Sequence, residues 1–389
     1  QKMLTVLYDH FRTLYENLLP TNPGLATEHA LQQELDVYNK SNKVTYRNAI
    51  ITAVASIKKR PRPDSVSHPS VGTEATLTAR AAELASISSF HLTHSHLKPA
   101  LLAQQQMEAY SYVSSIPEGP GGDRVSELGN EMTCVRCGQQ FIVRADPGEE
   151  ECTYHWGKPF TSKVQGARER VYRCCLQQTT SGEGCQKGPH VFYESDPVAL
   201  HSRHAFTPTR SARDGAATSI DVIAMDCEMI YTTAGMSVAR VSAVDGTGKE
   251  VFDQLVRMSE GVDVLDFNTR FSGVTTLVGA VHDLNGVRKA LDAFIGPDTI
   301  LVGHALENDL KTLRMIHSKV VDTAVLYPHR AGPPYRRALR DLSREVLGQT
   351  IQTGGGTTGH SSLEDARATL DLVRSWAMDQ QRKADGRKT

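Results

Sequence analysis

"VIAMDCEM", Val222 to Met229, is an apolar run that ends on two acids a single residue apart, Asp226 and Glu228. Read as a strand, it alternates side chains between faces, so both carboxylates project from one face, about 7 Å apart along the chain. Two negative charges so placed repel unless something cationic sits between them. Cys227 lies between the acids, faces the other way, and reads as core.

Outward from this strand, residues 219–380 alternate strand and helix signals. "IDVIAM", "MSVARVSAV" and "KEVFDQLV" are strand-like, and the turn residues "DGTG" join the last two as an antiparallel hairpin. Helical "LVGAVHDLNGVRKALDAFI" precedes the short strand "TILVG", helix "LENDLKTLRMI", strand "KVVDTAVL" and helices "ALRDLSREVL" and "SLEDARATLDLVRSWAMD". Such an order implies an α/β sheet covered by helices.

Two further acids open helices, Asp309 after "LVGHALEN" and Asp365 within "GHSSLEDARATL". Either alone could merely complement a helix dipole. Four acids together suit phosphodiester chemistry, which uses two divalent cations, one activating water and one stabilising the leaving oxygen. Magnesium is held by a few carboxylates plus water and substrate oxygens. His360, five residues before Asp365, is then placed to take a proton from the attacking water.

At this point "MDCEM", "NTRFSGVT", "LVGHALENDLKTL", "VVDTAVLYPHR" and "GHSSLEDA" closely resemble, in order, the motifs of the DEDDh 3′-to-5′ exonucleases, in their eukaryotic RNA exonuclease branch. The resemblance implies an RNase H-like fold of the DnaQ type. It implies that Asp226, Glu228, Asp309 and Asp365 bind two Mg²⁺ or Mn²⁺ ions, with His360 as general base. It places Met229, Phe271, Ser272, His304 and Asn308 beside the terminal nucleotide, with Phe271 or a neighbour supporting base stacking. Asp322 is read as bonding backbone near the site.

Of seven cysteines, six fall between Cys134 and Cys185. "CVRC" (Cys134, Cys137), "CTYH" (Cys152, His155), "CC" (Cys174, Cys175) and "CQKGPH" (Cys185, His190) offer eight ligands. A closed structural zinc takes four, so the set satisfies two ions as Cys₃His, or one ion with ligands to spare. The segment resembles the Cys- and His-rich region preceding the exonuclease domain in RNA exonuclease 1 and 3 type proteins, and "HWGKP" and "YRCC" are more weakly similar to CHORD zinc modules. Lys158, Lys163, Arg168, Arg170 and Arg173 lie between its ligands and could contact phosphates.

The 389 residues divide in this reading into an N-terminal helical bundle (1–60), a linker with a helical patch (61–129), the zinc-binding module (130–195), a second linker (196–218) and the exonuclease domain (219–380). In the bundle Leu4, Leu7, Phe11, Leu14, Tyr15 and Leu18 recur at helical steps. Residues 1–60 resemble the N-terminal region of the same subgroup and could dock a protein partner. Net charge of −1 advertises no global nucleic-acid footprint, so any basic surface is local.

No apolar run reaches the roughly 18 residues that span a bilayer, and "QKMLTVLYDHF" lacks a signal-peptide layout. The chain therefore reads as intracellular, although it begins on Gln and a targeting signal could precede it. The basic run "KKRPRP", Lys58 to Pro63, and the resemblance suggest the nucleus, with the cytoplasm open. The function read from these residues is trimming of single-stranded RNA 3′ ends to nucleoside 5′-monophosphates during RNA maturation. Its rivals are the same chemistry on DNA and an inactive RNA- or protein-binding scaffold.

Overall fold

The computed structural model describes residues 2–164, 167–210, 219–352 and 359–386. Its centre is a mixed six-stranded sheet built on β1, Val222–Thr232. Antiparallel β2 (Gly235–Asp245) and β3 (Glu250–Leu255) flank it on one side. β4 (Val264–Asp266) pairs with the far end of β1. On the other side β5 (Ile300–Gly303) and then β6 (Val320–Asp322) run parallel to it. In the expected hairpin Asp245 Oδ1 accepts the backbone N–H groups of Thr247 (2.8 Å) and Lys249 (3.1 Å), and Gly248 supplies the positive φ of +86°.

N-terminal helices α1 (Lys2–Leu14), α2 (Leu25–Lys40) and α3 (Tyr46–Lys59) close on a core of Leu7, Phe11, Tyr15, Ala30, Ile50 and Ile57. The next, α4 (Glu74–Ser89), leads to the sheet, where its Ile87 packs with Leu339, Leu342 and Leu372. Both faces of the sheet are then covered, as parallel strands require. Ile223, Met225 and Cys227 pack on α5 (Leu284–Leu291) and α6 (Glu307–Leu313). Val222 and Ala224 pack on α7 (Ser362–Gly386), through Ala366, Leu370 and Val373.

Several expectations change. Helix was read from residue 277, but α5 begins only at Leu284: Gly279 takes φ +90° and the Asp283 carboxylate caps Gly286 N–H at 2.9 Å. Segment "KVVDTAVL" is strand only to Asp322, whose side chain caps the short helix Thr323–Leu326.

The larger correction concerns residues 61–129, read as a linker. Leu92, Leu97, Leu102, Met107 and Tyr112 are all buried against the sheet or its helices. Their five-residue spacing matches neither the helical nor the strand period, so a periodicity reading passes over them. In the second supposed linker Leu200, Arg203 and Phe206 are buried, and Thr207–Pro208 pairs with Met315–Ile316. Residues 211–218 of that segment lie outside the described residues.

Residues 131–188 form three short antiparallel pairs, Glu131–Thr133 with Gln140–Ile142, Cys152–Tyr154 with Gln186–Gly188, and Pro159–Val164 with Ala167–Tyr172. Val143, Val191 and Phe192 dock this module on Leu265. Arg136 bolts the joint, pairing with Asp266 at 2.6 Å beneath the rings of Tyr154 and Tyr231. Among the described residues no helix is long and apolar enough to cross a membrane.

Candidate active site

β1 outruns its parallel neighbour. Pairing with β5 covers only Val222 to Ala224, and beyond it the edge of β1 lies open until β4 pairs at Tyr231 and Thr232. Asp309, from the first turn of α6, fills the opening: its Oδ1 accepts the Cys227 backbone N–H at 2.9 Å. Asp365 arrives from the first turn of α7, which is tied to the sheet by a 2.7 Å hydrogen bond between the hydroxyls of Ser362 and Ser242. Ser242 stands opposite Asp226 in the β1–β2 register. Asp226 and Glu228 are thus joined at one place by acids from two helices.

Electrostatics confirm the crowding. Burial, then Asp309, Asp365 and Glu228, push the Asp226 carboxyl well above its usual range. Burial and Asp365 raise Glu228 to about 9, burial and Glu307 raise Asp309 to about 8, and burial raises Asp365 to about 6 despite the Gln352 amide, which donates to its Oδ2 at 2.8 Å. Arg240, opposite Glu228 in register, is held bidentately by Asp253 at 2.6 and 2.7 Å. Among the described residues no Lys or Arg pairs with any of the four acids. Glu228 Oε1 and Asp365 Oδ1 are buried without a hydrogen-bond partner. Buried carboxylates of this kind are paired, protonated or ligating, so the set fits divalent cations.

A cavity of about 280 Å³ gathers Asp226, Met229, His304, Asn308 and Asp309, with Tyr193 and Lys311 at its wall. Asp322 secures its floor. Oδ1 accepts Ala305 N–H (2.9 Å) and Ala324 N–H (2.8 Å), and Oδ2 accepts the Tyr112 hydroxyl at 2.6 Å. Ala305 is held at φ +54°, which turns the chain into α6. Of the predicted nucleotide contacts, His304 Nδ1 meets the Thr323 hydroxyl at 2.9 Å, and Asn308 donates to Ala305 O and Glu307 Oε1.

His360 stands beside this centre, its Nδ1 3.8 Å from Asp365 Oδ2 and its side chain 36% exposed. Burial, then Arg340, lowers its pKa, which keeps the imidazole neutral and able to accept a proton. Residues 353–358 of the preceding loop lie outside the described residues. His360 N–H donates to Phe271 O at 3.0 Å. This latch needs glycine on both strands: a Cβ on Gly359 would stand 2.0 Å from Gly273.

Phe271 is 40% exposed and meets Trp156 edge-on, outside the acidic cavity. Ser272 is a correction: it is 3% exposed, donates to Phe267 O at 2.7 Å and accepts Val274 N–H, so its hydroxyl serves its own loop. Sequence reading also missed Gln352, Tyr193 and the 2.6 Å pairing of Glu307, inside "LVGHALENDLKTL", with Arg336.

The eight Cys and His residues divide into two sets, Cys134, Cys137, Cys152 and His190, and His155, Cys174, Cys175 and Cys185, each with ligand atoms within 4.8 Å of one another. Cys134 and Cys152 sulfurs are 3.8 Å apart, Cys174 and Cys175 3.9 Å, and Cys174 and Cys185 3.5 Å. Disulfide sulfurs would be about 2.05 Å apart, whereas a tetrahedron with bonds of about 2.3 Å has edges near 3.8 Å. Both sets fit a tetrahedral ion, and each is Cys₃His. The first is largely buried; Cys185 of the second is exposed. Of the basic residues between the ligands, Lys158, Arg168, Arg170 and Arg173 are exposed, and the Lys163 side chain lies outside what is described.

Residues 223–373 match the family described as Exonuclease, and residues 132–188 match the RNA exonuclease 3 middle domain. The mixed sheet and its covering helices are thereby the RNase H-like fold expected from the motifs. The chain is 34% identical to human RNA exonuclease 1 homolog over 96% of its own length and 33% of that protein. It is 35% identical to Exonuclease GOR of Pan troglodytes over 90% of its length and 48% of that protein, so it spans half or less of these relatives. A solved Neurospora crassa Pan2 catalytic unit is similar at 19% identity over 60% of this chain and 43% of that one, with a TM-score of 0.37. RNA exonuclease 3 of Eremothecium gossypii is 34% identical over 72% of this chain and 71% of its own length, and the chain belongs to this RNA exonuclease family.

Proposed function

We propose that the chain is a divalent-metal-dependent 3′-to-5′ exoribonuclease that trims single-stranded RNA ends to nucleoside 5′-monophosphates, in the service of RNA 3′-end maturation. The observation that carries the reading is the convergence of Asp226, Glu228, Asp309 and Asp365 with Glu228 Oε1 and Asp365 Oδ1 buried and unpartnered. The names of the relatives supply the substrate class, RNA.

Asp226, Glu228, Asp309 and Asp365 would hold two Mg²⁺ or Mn²⁺ ions, which when bound orient the attacking water and neutralise charge on the phosphate. Neutral His360 accepts a proton from that water as its oxygen forms the new bond to phosphorus. The bond from phosphorus to the upstream 3′ oxygen breaks, and that oxygen takes up a proton as the shortened RNA departs. His304 and Asn308, in the acidic cavity, face the terminal nucleotide. Gln352 steadies Asp365, and the Gly359–Gly273 latch holds His360 at a fixed height over it.

The two Cys₃His sets are assigned to structural zinc. A protein partner for the N-terminal bundle is part of the same reading, as is residence in the nucleus. Lys58–Pro63 lends the latter little support, because the Arg60 side chain is only 6% exposed and pairs with Glu74.

The test is a 5′-labelled single-stranded RNA, with free or phosphorylated 3′ end, beside a DNA of the same sequence, in magnesium or manganese. A metal-dependent ladder shortening from the free 3′ end of RNA is expected. Shortening of a 3′-labelled RNA from its 5′ end, or preference for DNA, would overturn direction or substrate respectively.

A further inference from the structure

Between the Cys/His module and the exonuclease domain runs a groove of about 850 Å³, in which Trp156 and Lys158 face Arg270 and Phe271. Its aromatic rings do not fill a core. Trp156 is half-buried, Phe271 is 40% exposed, and the two meet edge to face with centroids 6.1 Å apart at 69°. Arg270 lays its guanidinium over the Trp156 ring at 4.4 Å.

The charge of the groove is one-sided. Its single acid among the described residues, Asp266, is consumed by Arg136, while Lys158 and Arg270 form no ion pair there. Arg168 and Arg170 are exposed on the hairpin that follows Lys158.

Two contacts connect the groove to the acidic centre. Tyr193 lines both it and the cavity of Asp226 and Asp309. The Phe271 carbonyl accepts the His360 N–H, so the groove's aromatic edge and the base share one hydrogen bond. Partly exposed rings, cations without acidic partners and a wall shared with the carboxylate cavity are what a single nucleic-acid strand uses, by stacking its bases and neutralising its phosphates.

We infer that this groove binds the nucleotides immediately upstream of the 3′ terminus, with Trp156 of the Cys/His module as a stacking platform and Lys158 and Arg270 facing the backbone. The inference rests on the exonuclease reading and adds a role for the module: His155, the neighbour of Trp156, belongs to the second metal set and stacks on Tyr172 at 3.7 Å, so metal in that set fixes the platform.

The test compares wild type, Trp156→Ala and Trp156→Phe, all full chains of verified zinc content, on a dodecamer RNA and a dinucleotide. Loss of one stacked base costs about 1–3 kcal/mol, so kcat/KM of Trp156→Ala on the dodecamer should fall about 5- to 150-fold. The loss on the dinucleotide, which does not reach the groove, should be several-fold smaller, and Trp156→Phe should recover most of it. Equal losses on both substrates, or none on the dodecamer, would overturn the inference. A binding arm separates the two readings: fluorescence anisotropy of a labelled dodecamer is measured in the Asp226→Asn background. Wild type that hydrolyses neither RNA would overturn the exonuclease reading. Anisotropy would still decide the groove, because Trp156→Ala either weakens dodecamer binding, as expected, or leaves it intact, which refutes it.

Discussion

The molecule gathers candidate ion ligands in two places and by opposite means. At the acidic centre the sheet and two helices position four carboxylates, and the apolar packing of Ile223, Met225, Leu310 and Val373 exists independently of any ion. In the Cys/His module the strands are mostly three residues long, and its own buried cluster is little more than Cys134, Cys152 and Tyr154. On the proposed reading an ion would complete chemistry in the first region and folding in the second.

The largest effect should come from attacking the first region. Asp226→Asn or Asp309→Asn should lower RNA hydrolysis by on the order of 10³-fold or more while leaving the thermal unfolding profile nearly unchanged. A large drop in stability alongside the loss would mean that the acids hold the fold, and the contrast would collapse.

Chelation attacks the second region and should act next. Zinc removal should abolish the ordered structure of residues 131–188, read as new protease cleavage there, while the exonuclease core stays resistant. Cys185→Ser, at an exposed ligand, should reduce bound zinc from two ions to one, whereas Cys134→Ser should also loosen the joint at Arg136 and Asp266. Metal analysis with limited proteolysis checks both, and identical outcomes for the two variants would erase the distinction between the sets.

A smaller change probes how firmly the first region is preformed. Tyr112→Phe removes the 2.6 Å hydrogen bond to Asp322 and should cost about 1 kcal/mol, seen in denaturant unfolding, with little loss of hydrolysis. A cost of several kcal/mol would show that residues 92–112 hold the sheet more tightly than their contacts imply.

The smallest effect concerns pH. His317 and His204 are held below the ordinary 6.5 by burial, so the unfolded chain takes up protons more readily than the folded one. Their contribution to stability is therefore full above about pH 6.5 and declines as pH falls through that value, while the raised carboxyls of the acidic centre act in the opposite sense unless an ion keeps them charged. Calorimetry at pH 7.5 and 5.5, with magnesium saturating the acidic centre, should show a smaller acid-induced drop in midpoint for His317→Gln than for wild type, and an equal drop would contradict the assignment.

Sequence disclosed these regions unequally. Asp226, Glu228, Asp309, Asp365 and His360 were singled out by short motifs, although Asp226 and Glu228 lie inside β1, which runs on to Thr232, and not at its end. Cysteine and histidine spacing suggested metal ligands but not how they divide: the division is set by which strands pair, as when Cys152–Tyr154 lies against Gln186–Gly188 and splits Cys152 from His155. Leu92, Leu97, Leu102, Met107 and Tyr112 were hidden in a polar segment, since each docks singly on a surface made by other elements. Ser272 was misread because its motif position says nothing about which way a hydroxyl turns within a tight loop. Trp156 lay inside "HWGKP", but nothing in that stretch pointed to Phe271, its partner distant in sequence.

The measurement that tests the central contrast most directly is zinc content and RNA hydrolysis on the same sample of Asp226→Asn. The account predicts two zinc ions per chain, as in wild type, and no metal-dependent shortening of a 5′-labelled single-stranded RNA. Shortening at the wild-type rate, or loss of zinc together with activity, would contradict it.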